Sequence, residues 1–133
     1  MKEVRILLVD DEELYRKSFK MGLSLLHRHG IEPVIFEAGD LETALGILNF
    51  QSVGLVLTDG IFPAKPDSYI GDGHGNCTKE DFHGNEVAAE ARRLGVKVIG
   101  ISSEPKLFHE VNVVFKKPVD LMELIQKIVE LLK

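Results

Sequence analysis

Five short apolar runs, separated by amphipathic stretches, dominate this chain of 133 residues. The runs cover residues 4–9, 34–38, 53–58, 96–101 and 112–115, and most of them are apolar at successive positions. Strands of that kind are buried on both faces, as in a parallel sheet that is covered by helices on both sides. The pattern therefore predicts an α/β fold, doubly wound, with a five-stranded parallel sheet.

The stretches between the runs have helical periodicity. Residues 12–29 form the first such stretch, which Gly30 ends, and its predicted buried side consists of Leu14, Ser18, Met21, Leu25 and Leu26. Asp40 is placed to cap a second helix, and residues 86–94 are predicted to form a third. The last helix is predicted over residues 121–132, and its buried side consists of Leu121, Leu124, Ile125, Ile128 and Leu132.

Length and charge limit the possible functions. A chain of this size is expected to form a single domain over residues 1–133. The net charge of −5 and the lack of a basic cluster argue against nucleic acid as a partner. The one cysteine, Cys77, cannot form an internal disulfide, and the first apolar run is too short for a signal peptide or a membrane span. We therefore expect a cytoplasmic protein without a membrane partner.

Polar side chains follow four of the five apolar runs. Asp10 and Asp11 follow the first run, Asp59 the third, Ser102 the fourth and Lys117 the fifth. The carboxyl ends of parallel strands meet at one edge of a sheet, where doubly wound folds bind their ligands. The sequence therefore predicts a site with three carboxylates, a hydroxyl and an ammonium group, which suits a divalent metal and a phosphoryl group.

The three acids have a physical need for a cation. Two like charges 4 Å apart repel each other by about 4 kcal/mol at an effective dielectric constant near 20. Mg²⁺ relieves this repulsion, and it prefers oxygen ligands and often shares a phosphate. Taken singly, each acid is also explained as a turn residue or a helix cap, so the prediction depends on their joint placement.

The motifs that carry these residues resemble one family. The acid pair of LLVDDE, Asp59 with Pro63 four residues later, Ser102, and Lys117 in KKP occur in an order that resembles the receiver domain of two-component response regulators. The resemblance covers nearly the whole chain and is closest in kind to chemotaxis-type regulators. It implies a flavodoxin-like sheet with strand order 2-1-3-4-5.

The resemblance also implies a metal site. Asp11 and Asp59 would bind Mg²⁺ directly, Asp10 would bind it through water, and the backbone carbonyl of Ile61 would complete the protein ligands. Mn²⁺ can substitute for Mg²⁺ in such a site.

The same resemblance assigns the phosphoryl chemistry. Asp59 would be the phosphoacceptor, while Lys117 and Ser102 would contact the phosphoryl oxygens. A cis bond before Pro118 is expected to direct Lys117 into the site, whereas Lys116 points to the other face of its strand. The expected donor is a histidine kinase or a histidine phosphotransfer protein, and the downstream protein is unknown. The chain is expected to be a signalling phosphoacceptor rather than an enzyme, one that can catalyse its own phosphorylation and dephosphorylation. Because this sequence has no output domain after Lys133, a stand-alone receiver is expected, and a fragment of a longer regulator is the open alternative.

One departure from the family pattern follows the third strand. Twenty-six residues, 60–85, separate that strand from the next helix, which is long for a loop without a function. We interpret residues 64–82 as an inserted loop that begins beside Asp59. It contains His74 and Cys77, followed by His83, but their spacing matches no standard zinc motif, so surface residues are the preferred interpretation.

The second departure is a missing helix. Only nine residues, 103–111, connect the fourth and fifth strands, which is too few for an ordinary crossover helix. The family's aromatic switch position is Val114 here, and Phe115, one residue later, is predicted to be in the core.

Two further hypotheses stay open. The chain is alternatively a degenerate receiver or scaffold that binds partners through the inserted loop without phosphorylation. A small phosphohydrolase of the haloacid-dehalogenase type is disfavoured, because Ile61 occupies the place of that family's second acid.

Overall fold

The computed structural model describes residues 1–66 and 81–133, which form a five-stranded parallel sheet with helices on both faces. The strands are β1 (Lys2–Val9), β2 (Ile31–Ala38), β3 (Leu55–Asp59), β4 (Lys97–Ser102) and β5 (Val113–Lys116). The helices are α1 (Glu13–Leu23), α2 (Leu41–Phe50), α3 (Gly84–Arg93) and α4 (Leu121–Leu131). The order β2-β1-β3-β4-β5 and the parallel pairing confirm the predicted doubly wound fold.

The sheet separates two layers of core. One layer lies between one face of the sheet and the helices α1 and α4. Its side chains include Ile6, Leu8, Leu23, Leu57, Ile99, Leu124 and Ile128. The other layer lies between the opposite face of the sheet and the helices α2 and α3. Its side chains include Leu7, Val9, Ala44, Val56, Val87, Ala91 and Val98. Successive residues of β1 thus enter opposite layers, as the continuous apolar runs predicted.

The predicted buried face of the first helix is wrong at Leu14 and Met21, whereas Leu26 is buried and Leu25 partly buried, as predicted. Leu14 and Met21 are 78% and 76% exposed. Within α1 a neighbouring stripe is buried instead, which consists of Phe19, Gly22 and Leu23. The 3-10 helix that follows at Ser24–His29 continues it with Leu26. A Cβ atom on Gly22 would be 3.0 Å from the side chain of Leu121, so the missing side chain lets α1 pack closely on α4.

The caps of α2 and α4 are acidic. The side chain of Asp40 accepts a hydrogen bond from the backbone N–H of Thr43 at 2.7 Å, which confirms its predicted capping role. Asp120 caps α4 in the same way, through the N–H groups of Met122 and Glu123. No helix in the described part of the chain is long and apolar enough to cross a membrane.

A short turn replaces the crossover helix between β4 and β5. The connection contains only a 3-10 turn at Pro105–Leu107, as predicted. Phe108 follows that turn, is 9% exposed and packs on Gly100 of β4. The side chain of Asn85 holds the connection in place, because it donates to the carbonyl of Leu107 at 2.8 Å and accepts from the N–H of His109 at 2.7 Å.

The edge strand β5 is therefore only partly covered. Val114, in the family's switch position, is 37% exposed. Phe115 is partly buried and packs against the core, as predicted.

The predicted inserted loop lies mostly outside the described residues, and so do His74 and Cys77. Its first end is held to α2, where the N–H of Glu42 donates to the carbonyl of Ala64 at 3.0 Å. At its second end, Phe82 is 4% exposed and packs edge to face on Phe108, with ring centroids 4.8 Å apart. His83 is 2.8 Å from the carboxylate of Glu86.

The contact between α3 and β3 yields a stability prediction. A Cβ atom on Gly84 would lie 2.6 Å from the carbonyl oxygen of Asp59 and 2.9 Å from Phe108. We expect Gly84→Ala to lower the free energy of unfolding by about 1–3 kcal/mol, the usual effect of overpacking. Gly46→Ala in α2 is the matched control, because nothing lies within 4 Å of its Cβ position. Because alanine has a higher helix propensity than glycine, Gly46→Ala should raise the free energy of unfolding by up to about 1 kcal/mol. Urea denaturation measures both, and equal effects would contradict the packing argument.

Candidate functional site

The carboxyl edge of the sheet brings the predicted site residues together. Asp10 directly follows β1, Asp59 ends β3, Ser102 ends β4 and Lys117 directly follows β5. These strands are neighbours in the sheet, so their polar side chains lie on the same edge.

Three carboxylates form the centre of this site. One oxygen from each of Asp10, Asp11 and Asp59 lies within 4.8 Å of the others. Asp10 is 2% exposed, and its Oδ1 accepts a hydrogen bond from the N–H of Glu12 at 2.9 Å. No other group of three or more possible metal ligands occurs in residues 1–66 and 81–133.

Lys117 extends its ammonium group into the acid cluster. Its Nζ is 3.3 Å from Oδ2 of Asp59 and 3.6 Å from Oδ2 of Asp10. The bond between Lys117 and Pro118 is cis, as expected. Lys116, one residue earlier, is exposed.

The backbone around Asp59 is tightly fixed. The N–H of Gly60 donates to Oδ1 of Asp59 at 2.8 Å, and the buried hydroxyl of Thr58 donates to the Asp59 carbonyl at 2.8 Å. The N–H of Gly84 donates to the Gly60 carbonyl at 2.9 Å. These hydrogen bonds hold the carboxylate of Asp59 at a defined position.

Ser102 is buried at the end of β4, with 2% of its surface exposed. Its Oγ accepts a hydrogen bond from the N–H of Glu104 at 2.9 Å, and its carbonyl accepts from the N–H of Lys117 at 3.0 Å. The hydroxyl proton can still be donated to another group. Ile61 lies two residues after Asp59, and coordination through its carbonyl stays a prediction.

Burial and like charge raise the pKa of two acids. Burial is the main reason that the pKa of Asp59 is raised from 3.8 to about 6, and the charge of Asp10 adds to it. Lys117 and the N–H of Gly60 act in the opposite direction without cancelling the rise. Burial and the charge of Asp10 also raise the pKa of Asp11.

The charges of the site favour a divalent cation. Burial alone would lower the pKa of Lys117, but the charges of Asp59 and Asp10 raise it, so this lysine stays protonated. Three carboxylates and one ammonium group have a formal charge of −2 when all are ionised, which one divalent cation balances. The donors are all carboxylate oxygens, which suits Mg²⁺.

Two contacts at this site were not predicted from the sequence. The ring of Tyr15 lies against the Lys117 ammonium group, with 4.5 Å from Nζ to the ring centroid. The guanidinium of Arg16 donates to the carbonyl of Asp10 and, at 3.2 Å, to the carboxylate of Glu37. Both residues lie about one helical turn after the acid pair, a spacing that places them near the site.

Comparison with known proteins identifies similar structures. No family model and no curated protein matches the sequence. The chain is similar to the response regulator TrrA from Thermotoga maritima, solved with Mg²⁺ and BeF, at 27% identity over 98% of this chain and 99% of that one, with a TM-score of 0.69. It is also similar to the receiver domain of the hybrid histidine kinase CckA, at 27% identity over 97% and 99% of the two chains, with a TM-score of 0.62.

A third similar structure is the signal receiver domain of an HD domain-containing protein from Pseudomonas fluorescens. It is 20% identical over 98% of this chain and 95% of that one, with a TM-score of 0.72. The resemblance to receiver domains is thus confirmed over nearly the whole chain. It supports the general role of a signalling module.

Proposed function

We propose that this chain, which has the receiver-domain fold, accepts a phosphoryl group from a phosphohistidine onto Asp59 within a two-component phosphorelay. The observation that carries the proposal is the acid cluster with Lys117 beside it. Asp10, Asp11 and Asp59 place their oxygens within 4.8 Å of one another, and the ammonium group lies 3.3 Å from Asp59.

The reaction is a phosphoryl transfer between two nucleophiles. An oxygen of Asp59 attacks the phosphorus, a P–O bond forms, and the P–N bond to the donor histidine breaks. The electron pair of that bond returns to the imidazole nitrogen, and the product is an aspartyl phosphate. Even without a cation beside it, a pKa of about 6 leaves Asp59 mostly ionised, and so nucleophilic, at neutral pH.

Lys117 and Ser102 stabilise the phosphoryl oxygens. The Lys117 ammonium group meets the negative charge on the oxygens of the transferring group, and its short distance to Asp59 places it there in advance. The Ser102 hydroxyl donates a hydrogen bond to one of these oxygens. Phosphoryl transfer depends mainly on such positioning and electrostatics.

Asp10, Asp11 and Asp59 would hold Mg²⁺, or Mn²⁺ in its place, together with the carbonyl of Ile61. The oxygen donors and the formal charge of −2 support this assignment. When bound, the metal neutralises charge on the phosphoryl oxygens. The similar regulator from Thermotoga maritima was solved with Mg²⁺ and BeF.

The partners are a histidine kinase or histidine phosphotransfer protein as donor and an unidentified downstream protein. Leu14 and Met21 on α1, which begins two residues after Asp11, supply exposed apolar contacts for the donor. Val114 is not aromatic, so the family's usual aromatic switch does not report the phosphorylation here. The phosphorylation experiment described next also tests the alternative that the chain is a scaffold that binds partners through residues 64–82.

Asp59→Asn should abolish phosphorylation. We expect intact mass spectrometry to find one phosphoryl addition on the wild type after incubation with acetyl phosphate and Mg²⁺, and none on the variant, which lacks the nucleophile. Glu32→Gln removes an exposed acid on β2 and is expected to leave phosphorylation unchanged. No addition to the wild type, from acetyl phosphate or from a phosphorylated phosphotransfer protein, would favour the scaffold. Addition to Asp59→Asn would place the acceptor elsewhere.

A further inference from the structure

Within residues 1–66 and 81–133, three groups contact the ammonium group of Lys117. Two are the carboxylates of Asp59 and Asp10, at 3.3 and 3.6 Å. The third is the ring of Tyr15, whose centroid is 4.5 Å from Nζ. The carboxylates supply charge, while the ring supplies a flat, negative face within the range of a cation–π contact.

The ring restricts where Lys117 can extend. A lysine side chain has a flexible four-carbon stem, so attraction to carboxylates alone leaves several orientations open. Lys117 and Tyr15 border the same mainly apolar groove, together with Phe19, Val119 and Leu121. The ring is therefore placed to keep the ammonium group beside Asp59.

Packing alone does not account for an aromatic residue at this position. Tyr15 is 42% exposed, and its neighbour Leu14 is 78% exposed. The core face of α1 is formed instead by Phe19, Gly22 and Leu23. The contact that links Tyr15 to the acid cluster is the one between its ring and the ammonium group of Lys117.

We propose that Tyr15 is a positioning residue for phosphoryl transfer, which holds the Lys117 ammonium group beside Asp59 through its aromatic face. This inference rests on the proposed function of Asp59. It predicts that the aromatic ring matters and that the tyrosine hydroxyl does not.

The test compares Tyr15→Phe with Tyr15→Leu in the rate of phosphorylation by acetyl phosphate with saturating Mg²⁺. Tyr15→Phe keeps the ring and should retain the wild-type maximal rate. Tyr15→Leu keeps an apolar side chain without the ring and should lower the maximal rate about two- to fivefold, without changing the acetyl phosphate concentration for half-maximal rate. That factor corresponds to about 0.4–1 kcal/mol at 1.36 kcal/mol per tenfold change.

Two controls separate positioning from structural damage. Phe50→Leu, which makes a similar aromatic-to-leucine change at a residue on α2 that is 87% exposed, should leave the rate unchanged. In a Lys117→Gln background, Tyr15→Leu should cause no further loss, because its effect acts through the ammonium group. Equal rates for Tyr15→Leu and the wild type, equal losses in both Tyr15 variants, or a full additional loss in the Lys117→Gln background would each overturn the proposal.

The ring-current shift of the Lys117 ε-protons gives a readout that does not depend on phosphorylation. Tyr15→Leu should remove this shift in the NMR spectrum, and Tyr15→Phe should keep it. A wild type that takes up no phosphoryl group would overturn the proposed function and, with it, the role of Tyr15 in transfer. A phosphorylated wild type with an unaffected Tyr15→Leu variant would overturn only the positioning role.

Discussion

Lys117→Gln is expected to slow phosphorylation of Asp59 by about 100- to 1,000-fold, the usual cost of removing one pre-placed group that stabilises charge in a transition state. The Lys117 ammonium group is 3.3 Å from the acceptor carboxylate and mostly buried, with 19% of its side chain exposed. Its charge is therefore less screened than that of a surface lysine. Glutamine preserves much of the length and one hydrogen-bond donor group but removes the charge.

Lys116→Gln is the matched control for that experiment. Lys116 precedes Lys117, carries the same charge and is exposed on β5. Its substitution should change the rate by less than about twofold, because exposed charges are well screened. The rates are measured by intact mass spectrometry over time with acetyl phosphate and Mg²⁺. Similar losses in both variants would indicate that net charge, rather than placement, controls the reaction.

The sheet and the site edge could be predicted because their signals are local. Each strand is a continuous apolar run, and a polar residue marks the point where the run ends, as at Asp10, Asp59 and Lys117. In a parallel sheet these ends meet at one edge whatever the details of helix packing. The strand order was not contained in these local signals and came from the resemblance to receiver domains.

Which face of α1 is buried could not be predicted, because packing against a helix distant in sequence, α4, decides it. Leu14 and Met21 lie in one helical stripe and Phe19 and Leu23 in the next, so periodicity alone permits either side to face the core. The structure buries the second stripe, where Gly22 leaves room for the side chain of Leu121 on α4. The spacing of Tyr15 after the acid pair places it near the site, but its contact with Lys117 depends on this rotation and could not be predicted.

The packing that replaces the crossover helix was equally hidden in the sequence. The short connection predicted the loss of the helix, but Phe82 and Phe108 are 26 positions apart and pair only after folding. The ring of Phe82 covers Gly60, which follows β3. The ring of Phe108 covers Gly84 at the start of α3 and Gly100 within β4.

Asp59→Asn is expected to stabilise the protein when no divalent metal is present. Burial and the charge of Asp10 raise the pKa of Asp59 from 3.8 to about 6. Ionised Asp59 is thus less favourable in the folded than in the unfolded chain, by up to about 3 kcal/mol at 1.36 kcal/mol for each pKa unit. Only 12% of this side chain is exposed, so solvent screening reduces the effect little. We expect the variant to gain about 1–3 kcal/mol in free energy of unfolding at pH 7.5 with chelator.

The sign of the pH dependence follows from the raised pKa. Between about pH 4 and pH 6 the folded protein binds more protons at Asp59 than the unfolded chain does, so wild-type stability falls as pH rises. Below that window Asp59 is protonated in both the folded and the unfolded chain. The part of the stability difference between wild type and Asp59→Asn that comes from the charge of Asp59 should then disappear. Urea denaturation from pH 4 to pH 8 measures this, with Glu32→Gln as the control for lost net charge. A constant difference across that range would contradict the assigned pKa.

Mg²⁺ should reverse the advantage of the variant. A ligand that binds only the folded state at 100 times its dissociation constant adds about 2.7 kcal/mol to the free energy of unfolding. The wild type has the full set of Asp10, Asp11 and Asp59, whereas Asp59→Asn has lost one carboxylate and should gain less. The same carboxylate that destabilises the metal-free protein would then stabilise the metal-bound one, since its repulsion with Asp10 becomes attraction to a shared cation. If Mg²⁺ stabilises wild type and Asp59→Asn equally, the metal does not bind at this site.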